Sequence, residues 1–255
     1  MLDQIATSYG VLRQFAKAAA AEERIISIKP DNFDNRLTLA QLQIAWKGDS
    51  RPMREVLDKF MRENPGSRFK VAGSRVFLAE AERDPVAGMQ ALADVREESF
   101  GPDALQHPRA FFEARFARLK GDEAAAQAAF TRARTVQQEI VDRQPDYAPA
   151  LCVLGIIDAG LGRKEDAIRE GRRAVELMPP EKDAINGSTI INRLAMIYAW
   201  VGEKDLAIQE LERSLRYPNR LNYGQLKLFP AWDPLRGDPR FERIVASLAP
   251  DGAHN

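Results

Sequence analysis

Three stretches of the sequence share one pattern: GDEAAAQAAFTRA at residues 121–133, GRKEDAIREGRRA at 162–174 and GEKDLAIQELERS at 202–214. Each begins with glycine, has a small residue five positions later, and keeps further small or apolar residues at spacings of four and then three. The positions are Ala126, Phe130 and Ala133; Ala167, Gly171 and Ala174; and Ala207, Leu211 and Ser214. Spacings of four and three place side chains on one helical face. The pattern predicts three equivalent helices, each following a glycine turn.

An apolar segment precedes each of the last two glycines, YAPALCVLGIIDAGL at 147–161 and STIINRLAMIYAWV at 188–201. Glycine permits the left-handed conformation that commonly ends a helix, and the charged residues after it suit the start of the next helix. The small side chains of Ala167 and Ala207 allow two helices to approach closely. We therefore predict antiparallel helix pairs, with both alanines buried where the helices touch.

These residues resemble the tetratricopeptide repeat (TPR), a helix-turn-helix unit of ~34 residues. The segment 149–179 fits best, with Leu154, Gly155, Ala167, Ala174 and Pro179 in register. The segment 189–219 keeps several of the same positions. The resemblance implies a right-handed α-α superhelix in which each repeat packs against its neighbours.

Two residues of the best repeat depart from the family pattern: Asp158 stands where tyrosine is usual, and Gly171 where a bulky residue is usual. The earlier units match the repeat pattern less well, but they keep the same order of helix, turn and helix. Their turns are expected near Gly48, Asp84 and Gly121. We predict an all-α fold of six helix pairs over about residues 2–219, without a β-sheet. Residues 136–143 should extend one helix, and 179–186 should lengthen one connection. The alternative is a generic helical bundle with accidental self-similarity.

The C-terminal segment QLKLFPAWDPLRGDPRF, residues 225–241, resembles the end of bacterial TPR arrays that are attached to protein kinases, adenylate cyclases or winged-helix regulators. Asp238 before Pro239 is a typical helix start. We expect a repeat array over residues 1–222, a capping segment over 223–249 and a flexible tail over 250–255. The cap should cover residues 206–215 of the sixth pair with Phe229, Trp232, Leu235, Phe241 and Ile244.

The composition favours a folded cytoplasmic protein without a nucleic-acid or membrane partner. Lys+Arg and Asp+Glu both number 37, so no net positive charge is available to hold a phosphate backbone. No apolar stretch approaches the ~18 residues of a membrane helix, and the start lacks a secretory signal pattern.

The residues that usually carry catalysis are scarce. The sequence has two histidines, His107 and His254, and one cysteine, Cys152, without the ligand spacing of a zinc site. A Cys–His nucleophilic pair stays open, although an apolar helical context favours a structural thiol at Cys152. Phosphate-binding glycine loops are also missing from the sequence. We predict a protein that is not an enzyme and uses no metal or cofactor.

The TPR resemblance implies a concave groove, lined by the first helix of each pair, that binds a peptide. Arg115 and Arg118, three residues apart, share one helix face and favour an acidic partner. We expect both outside the core; the alternative is a solvated face on which they pair with Glu113 or Asp122. The predicted partner-binding residues are Phe77, Phe111, Arg115, Arg118, Asn192 and Trp200.

The sequence therefore predicts a protein-interaction scaffold in bacterial signalling or regulation, binding a protein or peptide in its concave groove. Two alternatives stay open: a sensor of a small molecule or nucleotide, and a non-catalytic regulatory subunit of an enzyme complex. The sequence does not choose between the groove and the convex face as the binding surface.

Overall fold

The computed structural model describes residues 2–101, 105–218 and 221–250. Helices account for most of these residues. The α-helices are α1 (Leu2–Val11), α2 (Phe15–Ile28), α3 (Phe33–Lys47), α4 (Arg51–Glu63), α5 (Ala72–Glu82), α6 (Pro85–Ala93), α7 (Arg109–Leu119), α8 (Glu123–Arg143), α9 (Ala148–Gly160), α10 (Lys164–Leu177), α11 (Ala184–Trp200), α12 (Lys204–Ser214), α13 (Tyr223–Leu228) and α14 (Pro239–Ser247). Two 3-10 helices span Pro65–Val71 and Pro230–Leu235.

Helices α1 to α12 form six hairpins, and each second helix packs against the first helix of the next hairpin. The predicted all-α superhelix of six helix pairs is confirmed. The expectation of no β-sheet is wrong in one place. Strands β1 (Ser99–Phe100) and β2 (His107–Pro108) form a short antiparallel ladder between α6 and α7. The long connection there leaves backbone groups outside any helix, and the ladder supplies them with hydrogen-bond partners.

The predicted turns lie where the glycine pattern puts them. Gly121, Gly162 and Gly202 have φ values of 81°, 76° and 84°, in the left-handed region that glycine adopts without strain. The third hairpin uses Arg83 in that conformation instead, at φ 58°. Asp84 then accepts hydrogen bonds from the first backbone amides of α6, as an N-cap does.

Close packing between paired helices explains why the same spacing of small residues is repeated along the chain. Ala167 and Ala207 have no solvent exposure, as predicted. A Cβ added at Gly155 of α9 would lie 3.0 Å from the carbonyl oxygen of Ala167 on α10. A Cβ at Gly171 would lie 2.7 Å from Ile197 Cδ1, so the departure from a bulky residue is compensated by an isoleucine from α11.

The predicted long helix is present as α8, which has 21 residues. The lengthened connection is the stretch 178–183 between α10 and α11. The predicted flexible tail lies outside the described residues beyond Pro250. Within the described ranges, no helix combines the length and apolarity needed to cross a membrane.

Candidate functional site

The concave face of the superhelix is occupied by the chain itself. We call residues 221–236 the strap; it contains α13 and the second 3-10 helix. Helix α13 packs on α3 and α5, and the 3-10 helix packs on α11. All three partners are first helices of hairpins. The strap therefore runs across the groove in which the sequence analysis placed a partner.

The strap approaches α3 most closely at Gly224. A Cβ added there would lie 1.8 Å from the carbonyl oxygen of Ile44, so only glycine allows this contact. The buried side chain of Leu226 follows two residues later, and Asn222 caps α13 by accepting a hydrogen bond from the Gln225 amide. This end of the strap combines a close backbone approach to α3 with the burial of Leu226.

The strap contacts α5 through an aromatic pair and an ion pair. The rings of Phe77 and Phe229 lie 5.0 Å apart. Arg83, at the C-terminal cap of α5, donates two hydrogen bonds to the carboxylate of Asp233, one of them at 2.9 Å. Burial raises the pKa of Asp233, but the hydrogen bonds from Arg83 and Arg236 outweigh it and leave that pKa below the usual value.

At α11, the indole Nε1 of Trp200 donates to the backbone carbonyl of Ala231 at 2.9 Å. The two ends of the array are also joined, because Arg13 in the first hairpin donates to the carbonyl of Leu215 at 3.1 Å. The strap and this bond turn the solenoid into a closed body, with its first and last hairpins in contact.

The expected cap over residues 206–215 describes only part of this arrangement. Helix α14 contacts α12 and α13, and Phe241 is fully buried. Phe229, however, lies against α5, and the 3-10 helix containing Trp232 lies against α11. A cap on the last hairpin alone would leave the concave aromatic residues exposed to water, and the segment instead crosses the groove and covers them.

Two of the six predicted binding residues contact the strap: Phe77 through Phe229 and Trp200 through Ala231. Two others are buried in the array. Phe111 is 2% exposed, and Asn192 is 7% exposed and accepts a hydrogen bond from the Ser214 hydroxyl. Partner binding by these residues stays a prediction, and the structure shows what each of them contacts within the chain.

The two predicted arginines are less free than the sequence suggests. The Arg115 side chain is 15% exposed, between core and surface, and lies 2.8 Å from Glu80 Oε1. Its pairing partner is neither Glu113 nor Asp122, because Glu113 instead pairs with Arg109 and Arg132. A guanidinium pointing inward from α7 finds its compensating charge on the neighbouring first helix, α5.

Arg118 donates to the carbonyl of Gly160 at 2.7 Å, which satisfies the open end of α9. Its guanidinium lies 4.8 Å from the Phe130 ring and 5.4 Å from the Trp200 ring. These are cation–π contacts, and together with the Gly160 hydrogen bond they connect the fourth, fifth and sixth hairpins. Arg115 and Arg118 therefore point to separate environments instead of forming one basic pair.

A buried polar cluster beneath the groove was not predicted as a group. Burial and the nearby Arg193 and Arg115 lower the pKa of His107 to about 3, so the imidazole is neutral. Burial raises the pKa of Cys152 to about 12, and burial also raises the pKa of Glu80 despite both arginines. Neither a thiol this weakly acidic nor an imidazole this weakly basic supports a Cys–His nucleophile.

A second polar cluster surrounds Asp158, which stands where the repeat pattern usually has tyrosine. The Asp158 carboxylate is fully buried, accepts a hydrogen bond from Arg134 Nε at 2.7 Å and lies 3.1 Å from Arg163 Nε. Burial and the adjacent Asp158 carboxylate raise the pKa of Glu170 to about 8, so this carboxyl group keeps its proton at neutral pH. The cluster joins α8, α9 and α10.

Comparison with known proteins gives fold-level similarity alone. No family model and no curated protein matches the chain. One similar solved structure is that of PilW, described as a widely conserved type IV pilus biogenesis factor, with 15% identity and a TM-score of 0.47 over 83% of this chain and 90% of that one. Another is the MamA protein, with 15% identity and a TM-score of 0.26 over 84% and 91%. Likenesses at these scores carry no argument about function.

Proposed function

We propose that this protein is a protein-interaction scaffold whose concave face binds an extended or short helical segment of a partner. The observation that carries the proposal is the strap: the groove holds a peptide segment, supplied by the chain itself. The bound segment presents a glycine for close approach, a buried leucine and an aromatic ring against α3 and α5. A partner would take the place of the strap.

The contacts of the strap indicate which side chains a partner would need. Phe229 precedes Asp233 by four residues, and the two contact Phe77 and Arg83 of α5. A partner segment with an aromatic residue followed by an acidic one would meet the same groups. This supports a protein or peptide partner with acidic character, as the sequence suggested, but assigns the acidic contact to Arg83 in place of the Arg115–Arg118 pair.

We place the scaffold in the cytoplasm of a bacterium, in signalling or regulation. This part of the proposal is supported by the resemblance of residues 225–241 to the ends of bacterial regulatory TPR arrays. The strap adds a mechanism, since a groove closed by its own chain responds to a partner only after the strap leaves.

The proposal is tested with a fluorescently labelled peptide of residues 221–236, titrated against the full chain. The wild-type groove should bind it weakly, because a tethered segment acts at a millimolar effective concentration. The double variant Phe229→Ala with Asp233→Asn weakens the internal strap and should bind the peptide at least tenfold more tightly. Adding Phe77→Ala should remove that gain.

Met89→Ala is the matched control, since Met89 is exposed on α6, a second helix, away from the strap contacts named above. It should leave peptide binding as in the wild type. Equal affinity of the wild type and the strap variant, with circular dichroism showing both folded, would contradict binding at the concave face. The convex face would then be the next surface to test.

A further inference from the structure

Trp200 contacts the strap through a backbone group of the strap. Its indole Nε1 donates to the carbonyl oxygen of Ala231 at 2.9 Å. The indole ring is half-buried, and it lies 6.2 Å from the Phe130 ring and 5.4 Å from the Arg118 guanidinium. These neighbours hold the ring in place, so its single donor points at the strap. A hydrogen bond to a backbone carbonyl reads the conformation of the bound segment and not its side chain.

The Ala231 carbonyl can accept this bond because of a proline three residues later. Ala231 belongs to the 3-10 helix Pro230–Leu235. In a 3-10 helix each carbonyl accepts from the N–H group three residues further along the chain. For Ala231 that position is Pro234, which has no N–H group. The proline therefore leaves the carbonyl without its 3-10 partner, and the indole of Trp200 supplies the donor.

We propose that Trp200 is a specificity-determining residue of the concave face, and that it selects a partner segment in which proline lies three residues after the carbonyl it binds. This inference rests on the proposed function and names the partner motif more closely. The array contacts the ring of Phe229, the carbonyl of Ala231 and the carboxylate of Asp233, and Pro234 follows directly. The motif is an aromatic residue, then an acidic residue four positions later, then proline.

The backbone of the strap separates this motif from an amphipathic helix. The 3-10 helix lies between two extended residues, Phe229 at φ −75° and ψ 132° and Arg236 at φ −60° and ψ 140°. A continuous α-helix could also present an aromatic and an acidic side chain four positions apart on one face. Its carbonyl between them would already accept a bond inside the helix. The indole of Trp200 therefore favours a segment interrupted by proline over a regular helix.

The experiment measures whether Trp200 and the proline act through the same bond. The receptors are the full-length strap variant, Phe229→Ala with Asp233→Asn, and the same chain with Trp200→Phe added. Phenylalanine keeps an aromatic ring at position 200 but has no N–H donor. The probes are the labelled peptide of residues 221–236 and the same peptide with Pro234→Ala. Circular dichroism checks that both receptors are folded.

With Trp200 intact, Pro234→Ala in the peptide should weaken binding about tenfold, which is the size of one hydrogen bond. With Trp200→Phe, the two peptides should bind equally, because the bond is already lost. Changes that remove one shared interaction are not additive, so the two effects should not multiply. The matched control is Pro230→Ala in the peptide, which should change the affinity by the same factor with either receptor.

A Pro234→Ala effect of the same size with both receptors would overturn this inference, while binding of the unaltered peptide would still support the proposed function. If neither peptide binds the strap variant, the proposed function itself fails, and the inference fails with it. A second measurement needs no change at Trp200: the nuclear magnetic resonance signal of its Nε1–H should shift when the unaltered peptide binds. Equal shifts with the Pro234→Ala peptide would also overturn the inference.

Discussion

Replacing Gly224 by alanine tests the contact that seats the strap on α3. The added Cβ would lie 1.8 Å from the Ile44 carbonyl oxygen and 2.7 Å from the carbonyl carbon. Both neighbours are backbone atoms of a regular helix, so neither can rotate away as a side chain would. Either α13 shifts outward or α3 bends.

Two effects of opposite sign decide the magnitude. Alanine favours a helix over glycine by about 1 kcal/mol, which alone would stabilise α13. Overpacking against rigid neighbours costs about 1–3 kcal/mol. If α13 lifts away instead, the buried Leu226 loses about 1.5–3 kcal/mol of apolar burial. The steric effect wins, and we expect Gly224→Ala to lower the free energy of unfolding by about 1–2 kcal/mol.

Urea denaturation measures this loss, and hydrogen exchange of the α13 amides shows whether the strap has lifted. Gly66→Ala is the matched control, since a Cβ there meets nothing within 4 Å; it should change the free energy of unfolding by less than about 0.5 kcal/mol. If Gly224→Ala is as stable as the wild type, with α13 equally protected, the strap does not lie on α3 as described.

Three further predictions concern the array. Ala167→Leu should overpack α9 against α10 and lower the free energy of unfolding by about 1–3 kcal/mol in urea; unchanged stability would mean that the helix register is wrong. The pKa of Glu170 is about 8 in the folded state, against an ordinary value of 4.5. Between these pH values the folded state holds a proton that the unfolded chain releases. The stability that this proton contributes is therefore lost as pH rises from 4.5 through 8. Glu170→Gln should therefore gain stability relative to the wild type as pH rises from 5 to 8, by up to about 1.4 kcal/mol per pH unit, whereas a pH-independent difference would contradict the shift. Arg115→Ala should cost about 3–5 kcal/mol in urea because it leaves Glu80 buried without its partner, and a loss below about 1 kcal/mol would show that the pair is solvated.

The repeat architecture could be predicted from the sequence because its determinants are local. A turn at Gly162 and a small residue at Ala167 lie within one hairpin, and helical spacing translates them directly into contacts. The same spacing occurs three times, which makes an accidental pattern a poor explanation. The hairpin boundaries follow from these short-range rules.

The path of the strap could not be predicted in this way. The residues at its closest contact, Ile44 and Gly224, are 180 positions apart. A glycine inside a short helix does not indicate which distant residue it will contact. The capping prediction found the apolar residues of the segment and their contact with the last hairpin, but it missed the contacts of the segment with α3 and α5. Closure of the superhelix, which brings α3 and α5 back to the end of the chain, decides the actual contact.

The two ends of the strap differ in how a partner could displace them. Asp233 and Arg83 are 37% and 42% exposed, and a surface ion pair of this kind contributes about 0–1 kcal/mol, less at high salt. Helix α13 packs on α3 with Gly224 against the Ile44 backbone and with Leu226 fully buried, and salt does not weaken this packing. Raising salt should therefore weaken the Asp233–Arg83 contact, while the apolar contacts of Phe229 and of α13 stay in place. A partner that only offers negative charge would compete with Asp233 alone, and one that also fills the Phe229 and Leu226 positions would open the groove.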